Sequence, residues 1–191
     1  MQRNKIILIL FVLLSCLSAV FAQEVVPKSV KVPKVSDRVI LVGRVVYKTP
    51  VDREARIPEV KEDYEDFSSE DSFRLRYGEQ SYSNEYIIGK PFFFEVRRDY
   101  QKKQVPLYYF NAFLFDRTDY RFILPLFVNV VVPDGVKFAY IGTFEYDLDY
   151  ALNVKGVKRY DEYDLACEWL KVATGNENVE LIRCELVPME E

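Results

Sequence analysis

The chain has 191 residues, is 49% hydrophobic and 29% charged, and carries 14 Phe and 14 Tyr against one Trp, a composition that supplies one ordinary core and lies far from disordered or collagen-like chains. It contains no histidine, which excludes imidazole bases, His metal ligands and Ser-His or Cys-His nucleophiles. The formal charge of −4, with basic residues clustered no further than pairs such as Arg97-Arg98 and Lys102-Lys103, argues against a nucleic-acid partner, because a phosphate backbone is neutralised by a concentrated basic patch.

The first 22 residues follow export-signal grammar: a basic start through Lys5, the apolar run Ile6 to Leu14, then small residues up to Val20-Phe21-Ala22. The run is too short to span a bilayer comfortably, and the small residues place cleavage between Ala22 and Gln23. A rival reading takes Leu13-Leu14-Ser15-Cys16 as a lipoprotein site with Cys16 acylated; the apolar stretch Leu17 to Ala22 is unlike the polar tether that normally follows such a cysteine. Removing the segment takes the charge from −4 to −6, since Arg3 and Lys5 are the only charges in it. The exported product is expected in the periplasm or cell envelope, or secreted, with no membrane span after processing.

Residues 23–36, with Pro27 and Pro33, read as an extended leader, and 37–191 as a single domain. Val39 to Tyr47 is apolar on both parities with Gly43 in its middle, which marks an interior strand with a bulge or a close backbone approach. Periodicity then disappears over an acidic loop, 50–71. Within it Glu59, Glu62, Asp63, Glu65, Asp66, Glu70 and Asp71 oppose only Lys61, and Tyr64 and Phe67 are embedded among them. Tyr64, Phe67, Glu62, Asp63, Glu65 and Asp66 form a candidate docking segment for a basic partner, weighed against an ordinary solvated loop.

Alternation returns at Phe73 to Tyr77, Phe92 to Arg97 and Leu107 to Phe115, with Asp99 to Gln104 reading as a hairpin loop. Phe122 to Val132 is almost wholly apolar, and Pro125 within it implies an edge or a bulge. Val132-Pro133-Asp134-Gly135-Val136 predicts a tight antiparallel hairpin into Lys137 to Tyr146. Ala151 to Val157 is a further short strand. Asp161 and Asp164 then open a helix, Glu162 to Thr174, whose stripe is Ala166, Trp169, Leu170 and Ala173 and whose stop is Gly175. Val179 to Val187 is the final strand, with Ile182, Cys184 and Leu186 on the face expected to meet the helix. That docking makes Cys167 and Cys184 a candidate disulfide, the alternative being two buried thiols; two thiols are too few for a metal site.

Paired acids at Asp147 and Asp149, and at Asp161, Glu162 and Asp164, are accounted for by turn and helix-start chemistry. Together with the missing nucleophile and phosphate-loop motifs, they lead to no catalytic residue, no cofactor and a nonenzymatic role. Tyrosines on one sheet face are a candidate carbohydrate platform, though sugar-stacking sites more often use Trp.

The Val39 to Val46 pattern V-x-x-V-G-x-V-V, the turn at Val132-Pro133-Asp134-Gly135 and Tyr140-Ile141-Gly142-Thr143 resemble exported bacterial β-sandwich proteins of immunoglobulin-like or prealbumin-like fold. That resemblance implies a fold and transfers no site. The expected architecture is a mainly β, antiparallel β-sandwich of seven to nine strands with one C-terminal α-helix beside the last strand. The expected role is a noncatalytic structural or protein-binding module acting on another envelope protein. The alternatives are a lipocalin-like barrel around a small apolar ligand and, more weakly, a carbohydrate-binding domain.

Overall fold

A computed structural model describes residues 30–49, 71–78, 81–98, 103–114 and 117–189. The chain is mainly β. Its strands are β1 (Arg38–Lys48), β2 (Ser72–Tyr77), β3 (Ser81–Ile87), β4 (Pro91–Arg97), β5 (Gln104–Leu114), β6 (Arg117–Val131), β7 (Phe138–Leu148), β8 (Val154–Tyr160), β9 (Ile182–Arg183) and β10 (Glu185–Pro188), with one helix among the described residues, α1 (Tyr163–Thr174), before β9. Two five-stranded sheets result. Sheet A runs β4-β1-β7-β8 with β9 also on β7, and sheet B runs β10-β6-β5-β2-β3.

The bulge signals hold. At Gly43 the β1–β7 register shifts, and a Cβ there would lie 2.7 Å from the Gly142 carbonyl oxygen and 2.9 Å from the Phe92 ring. Only glycine admits that backbone approach. Pro125 sits where β6 is already an edge, because β10 covers only Val128 to Val131, and the β5–β6 register shifts beside it.

Three expectations about pairing are corrected. The strands are not all antiparallel: β1 lies parallel to β7 from Ile40 to Lys48, and β9 is also parallel to β7. The Pro133–Gly135 turn forms, with Gly135 at φ 81° and the Val136 N–H donating to the Pro133 carbonyl at 3.4 Å, but it carries the chain from β6 in sheet B to β7 in sheet A instead of closing a hairpin. Asp99 to Gln104 likewise lies between β4 of sheet A and β5 of sheet B. Turn residues set a local reversal, whereas the partner of a strand is set by which face it must bury. The buried Arg98 fixes the first crossing by donating to the carbonyls of Val132 at 3.2 Å and Pro133 at 2.9 Å and pairing with Asp134 at 3.2 Å.

One apolar cluster draws on the inner faces of both sheets: Leu41, Val45 and Ile141 from A, Leu75, Leu107 and Leu124 from B. Aromatic rings join them, with Phe73 to Phe92 at 5.7 Å and Phe110 to Phe144 at 5.8 Å between centroids. The Tyr146 hydroxyl donates across to the Pro125 carbonyl at 2.8 Å. The second cluster lies on the outer face of sheet A. There Ala166, Trp169, Leu170 and Ala173, the predicted stripe, cover Ile40, Val42, Phe93, Phe138 and Tyr140.

The helix therefore docks on β1, β4 and β7, and the final strand turns the other way. Ile182, Cys184 and Leu186 share a face as expected, but that face joins the cluster to which both sheets contribute. Cys167 packs with the helix cluster instead. Cys167 and Cys184 are both free, so the predicted disulfide does not form: one belongs to the helix cluster and the other to the core cluster. The leader is also corrected in its last residues, for Pro33 is buried, Val30 joins the helix cluster, and its N–H donates to the Ala173 carbonyl at 3.0 Å, satisfying a carbonyl at the end of the helix.

Candidate functional site

Asp149 builds the turn that projects β8. Its Oδ1 accepts from the backbone N–H groups of Ala151 at 2.8 Å and Asn153 at 2.9 Å, an Asx arrangement that reverses the chain after β7. The Asn153 contacts hold the Asp149 carboxyl below the usual carboxylate range. The turn delays the predicted strand at Ala151–Val157 to Val154–Tyr160.

Among the described residues β8 ends sheet A, hydrogen-bonded to β7 on one side and to no strand on the other. Six of its seven residues are exposed, on both faces, including Val157 at 50% and Tyr160 at 41%. Of the other edges, β4 is largely buried and β10 is four residues long, ending at Pro188; β3 and the part of β6 before Val128 are also open, but each holds buried residues, Ser83 on β3 and Phe122 and Leu124 on β6. Lys155, Lys158 and Arg159 give β8 a basic character in an acidic chain.

At its end β8 borders a notch. β7 pairs with β9 through Tyr140 and with β8 from Thr143 onward, leaving Ile141 and Gly142 between them. Gly142 adopts φ 101°, and a Cβ on it would stand 2.7 Å from Arg159 Nε. The missing side chain lets Arg159 lie over the gap, where Nε donates to the Ile141 carbonyl at 2.8 Å and Nη2 reaches the Cys184 carbonyl at 3.5 Å. The cleft, about 370 Å³, is lined by Tyr140, Arg159, Tyr160, Asp161, Arg183, Cys184 and Glu185.

Its walls are held in place. Arg183 lies 3.7 Å over the Tyr163 ring and pairs with Asp161 at 3.3 Å. Arg44 Nη2 donates to both Glu162 oxygens at 2.7 and 2.8 Å, and Thr143 donates to the same carboxylate. The Glu162 N–H donates to the Tyr140 hydroxyl at 2.5 Å. Burial raises the Tyr140 hydroxyl above its ordinary value and pushes the Cys184 thiol up to about 11, so both are uncharged at neutral pH. What the region offers a partner is hydrogen-bonding charge and an open strand edge.

Of the sequence-predicted site residues, Cys167 belongs to the helix cluster and Cys184 to the core cluster. Cys16, Ala22 and Gln23, and the docking segment with Glu62, Asp63, Tyr64, Glu65, Asp66 and Phe67, fall outside the described residues. Sequence reasoning missed Arg159, Tyr160 and Arg183. The available signal was V-K-G-V-K-R-Y, in which basic residues occupy both parities, a pattern that suits a strand buried on neither face. Among the described residues no helix is long and apolar enough to cross a membrane, and no group of three or more Cys, Asp or Glu is placed to hold a metal ion.

No protein-family model matches the chain, and neither a curated protein nor a solved structure does.

Proposed function

We propose that this chain is an exported, noncatalytic protein-binding module of the periplasm or cell envelope, built as a β-sandwich and presenting β8 as its docking edge. The observation that carries the reading is the exposure of β8 on both faces, with no described strand paired to its outer side. An open edge adds a partner strand through main-chain hydrogen bonds, with side chains on alternate positions supplying specificity. Lys155, Lys158 and Arg159 repel a second copy of the same edge and favour an acidic strand.

The sandwich reading is supported by the inner faces of two separate sheets meeting in one cluster. In its middle Phe73, Phe110 and Phe144 fill the space that a lipocalin-like barrel gives to its ligand. The acidic segment around Tyr64 and Phe67 remains a second docking element of the same proposal.

A photo-crosslinking residue at Val157, 50% exposed on β8, is compared in the native host with one at Val172, 56% exposed on α1. A discrete adduct from position 157 and none from 172 supports docking on the edge. Equal labelling at both positions, or none at either, overturns it.

A further inference from the structure

The outer face of sheet B has no helix over it among the described residues, and its register assembles a second surface independent of the β8 edge. Arg76 of β2 stands between Tyr82 of β3 and Tyr109 of β5, and Phe113 of β5 stands between Ser72 of β2 and Arg121 of β6. Arg76 lies over the Tyr82 ring at 5.0 Å, and the Tyr82 and Tyr109 hydroxyls are 2.8 Å apart. Arg74 and Arg121 both lie over the Phe113 ring, at 5.5 and 5.4 Å. Stacking holds each guanidinium against a rigid support and leaves its in-plane N–H groups for an acceptor.

Three successive bulges shape this face. β3 has one residue more than β2 between the pairs Arg74–Glu85 and Arg76–Tyr82. β5 has one more than β2 between Arg76–Tyr109 and Tyr77–Leu107, and β6 has one more than β5 between Leu107–Val128 and Tyr109–Pro125. Within the β6 bulge Phe127 takes φ 48°, a strained conformation for a non-glycine residue that recurs at functional sites. Phe127 is 53% exposed, and Ile123, on the same strand, is 55% exposed. Bulges of this kind re-aim side chains, and β6 carries these two exposed apolar residues as well as Arg121.

The charge balance is local and opposite to that of the chain. Among the described side chains of these rows Arg74, Arg76 and Arg121 stand with one acid, Glu85, which pairs with Arg74 at 3.1 Å. We propose that this face binds an anionic polysaccharide, its carboxylate or sulfate groups taken by Arg74, Arg76 and Arg121 and its apolar C–H faces laid on Ile123 and Phe127. Three features select that ligand class. The rings of Tyr82 and Phe113 already carry guanidiniums, so they do not offer the free faces on which nucleic-acid bases stack. Arg74 and Arg76 stand on β2, whose backbone is paired on both sides, so a peptide strand finds no open edge at them. A sugar chain with acid groups combines the apolar faces and anionic edges that this surface complements.

The test is calorimetric titration of the full chain with sodium polygalacturonate and with dextran sulfate at low salt, beside neutral dextran and polyglutamate. The tighter of the two acidic polysaccharides identifies the acid group, and binding of either upholds the proposal provided the double variant Arg76→Gln, Arg121→Gln weakens it at least about tenfold while the near-UV spectrum is kept. Should the double variant lose that spectrum, Arg121→Gln alone is read, with a loss of at least about threefold expected. Binding of neither polymer, equal binding of neutral dextran, polyglutamate matching the polysaccharides, or variants that bind as well as the native chain overturns it.

Discussion

The two sheets share one core, yet their outer faces are finished in opposite ways. On sheet A the outward positions are Ile40, Val42, Phe93, Phe138 and Tyr140, and α1 seals them with Trp169 and Leu170. On sheet B the outward positions include Arg74, Arg76, Tyr82, Tyr109 and Arg121, and no described helix covers them. Period-2 alternation built both sheets. Which residue type fills the outward parity decides whether a face needs a cover: apolar residues demand one, since each side chain fully buried is worth roughly 1.5–3 kcal/mol, whereas arginines stacked on rings are better solvated than sealed. The bare face is thus the one the chain left available.

The comparison is broken most severely by removing the seal. Trp169→Ala should cost about 3–5 kcal/mol in urea unfolding, because it opens a cavity over β1 and β7; a cost under about 1 kcal/mol would mean that the helix merely rests on the sheet. Gly43→Ala tests the frame beneath. Its Cβ would meet the Gly142 carbonyl and Phe92, neither free to move, so a loss of about 1–3 kcal/mol is expected in the same assay.

Asp149 gives a smaller effect with a defined sign. Hydrogen bonds from Asn153 hold its folded-state pKa below the unfolded value, so its stabilisation is complete above the unfolded pKa, about 3.9, and is lost as pH falls through the folded value. Asp149→Asn should therefore lower the Tm at pH 7, with the difference from the native chain closing as the pH falls through the folded-state pKa. A gap that persists in acid contradicts the turn chemistry. The smallest effect belongs to the bare face: Arg76→Gln should change stability by no more than about 0.5 kcal/mol, and a larger loss would show that face to be structural.

Much of this was legible in the sequence, for reasons that also mark where legibility ends. The helix stripe and most strands carry their own periodicity, and Gly43 and Pro125 announced bulges because each lacks something an ordinary strand residue has. β3 was missed because S-Y-S-N-E-Y-I buries only Ser83 among its residues and has no alternating apolar signal. The Pro133–Gly135 turn was located correctly, but the partner of β7 depends on contacts with β1, some hundred residues away. Cys184 was placed on the right face of its strand and the wrong side of the sheet, since parity does not say which layer a face meets. The arginine–aromatic rows were invisible for the same reason. Arg74 and Arg76 alternate with Phe73 and Leu75 plainly enough, but their meeting with Tyr82, Phe113 and Arg121 is created by register.

The most direct test of the contrast between the two faces is backbone amide and arginine side-chain NMR of the chain titrated with short polygalacturonate or sulfated dextran oligomers. The account predicts shifts concentrated at Arg74, Arg76, Tyr109, Arg121 and Phe127, with α1 and the residues beneath it unmoved. Shifts centred on α1 or on the notch at Arg159, or none on sheet B at saturating oligomer, would contradict it.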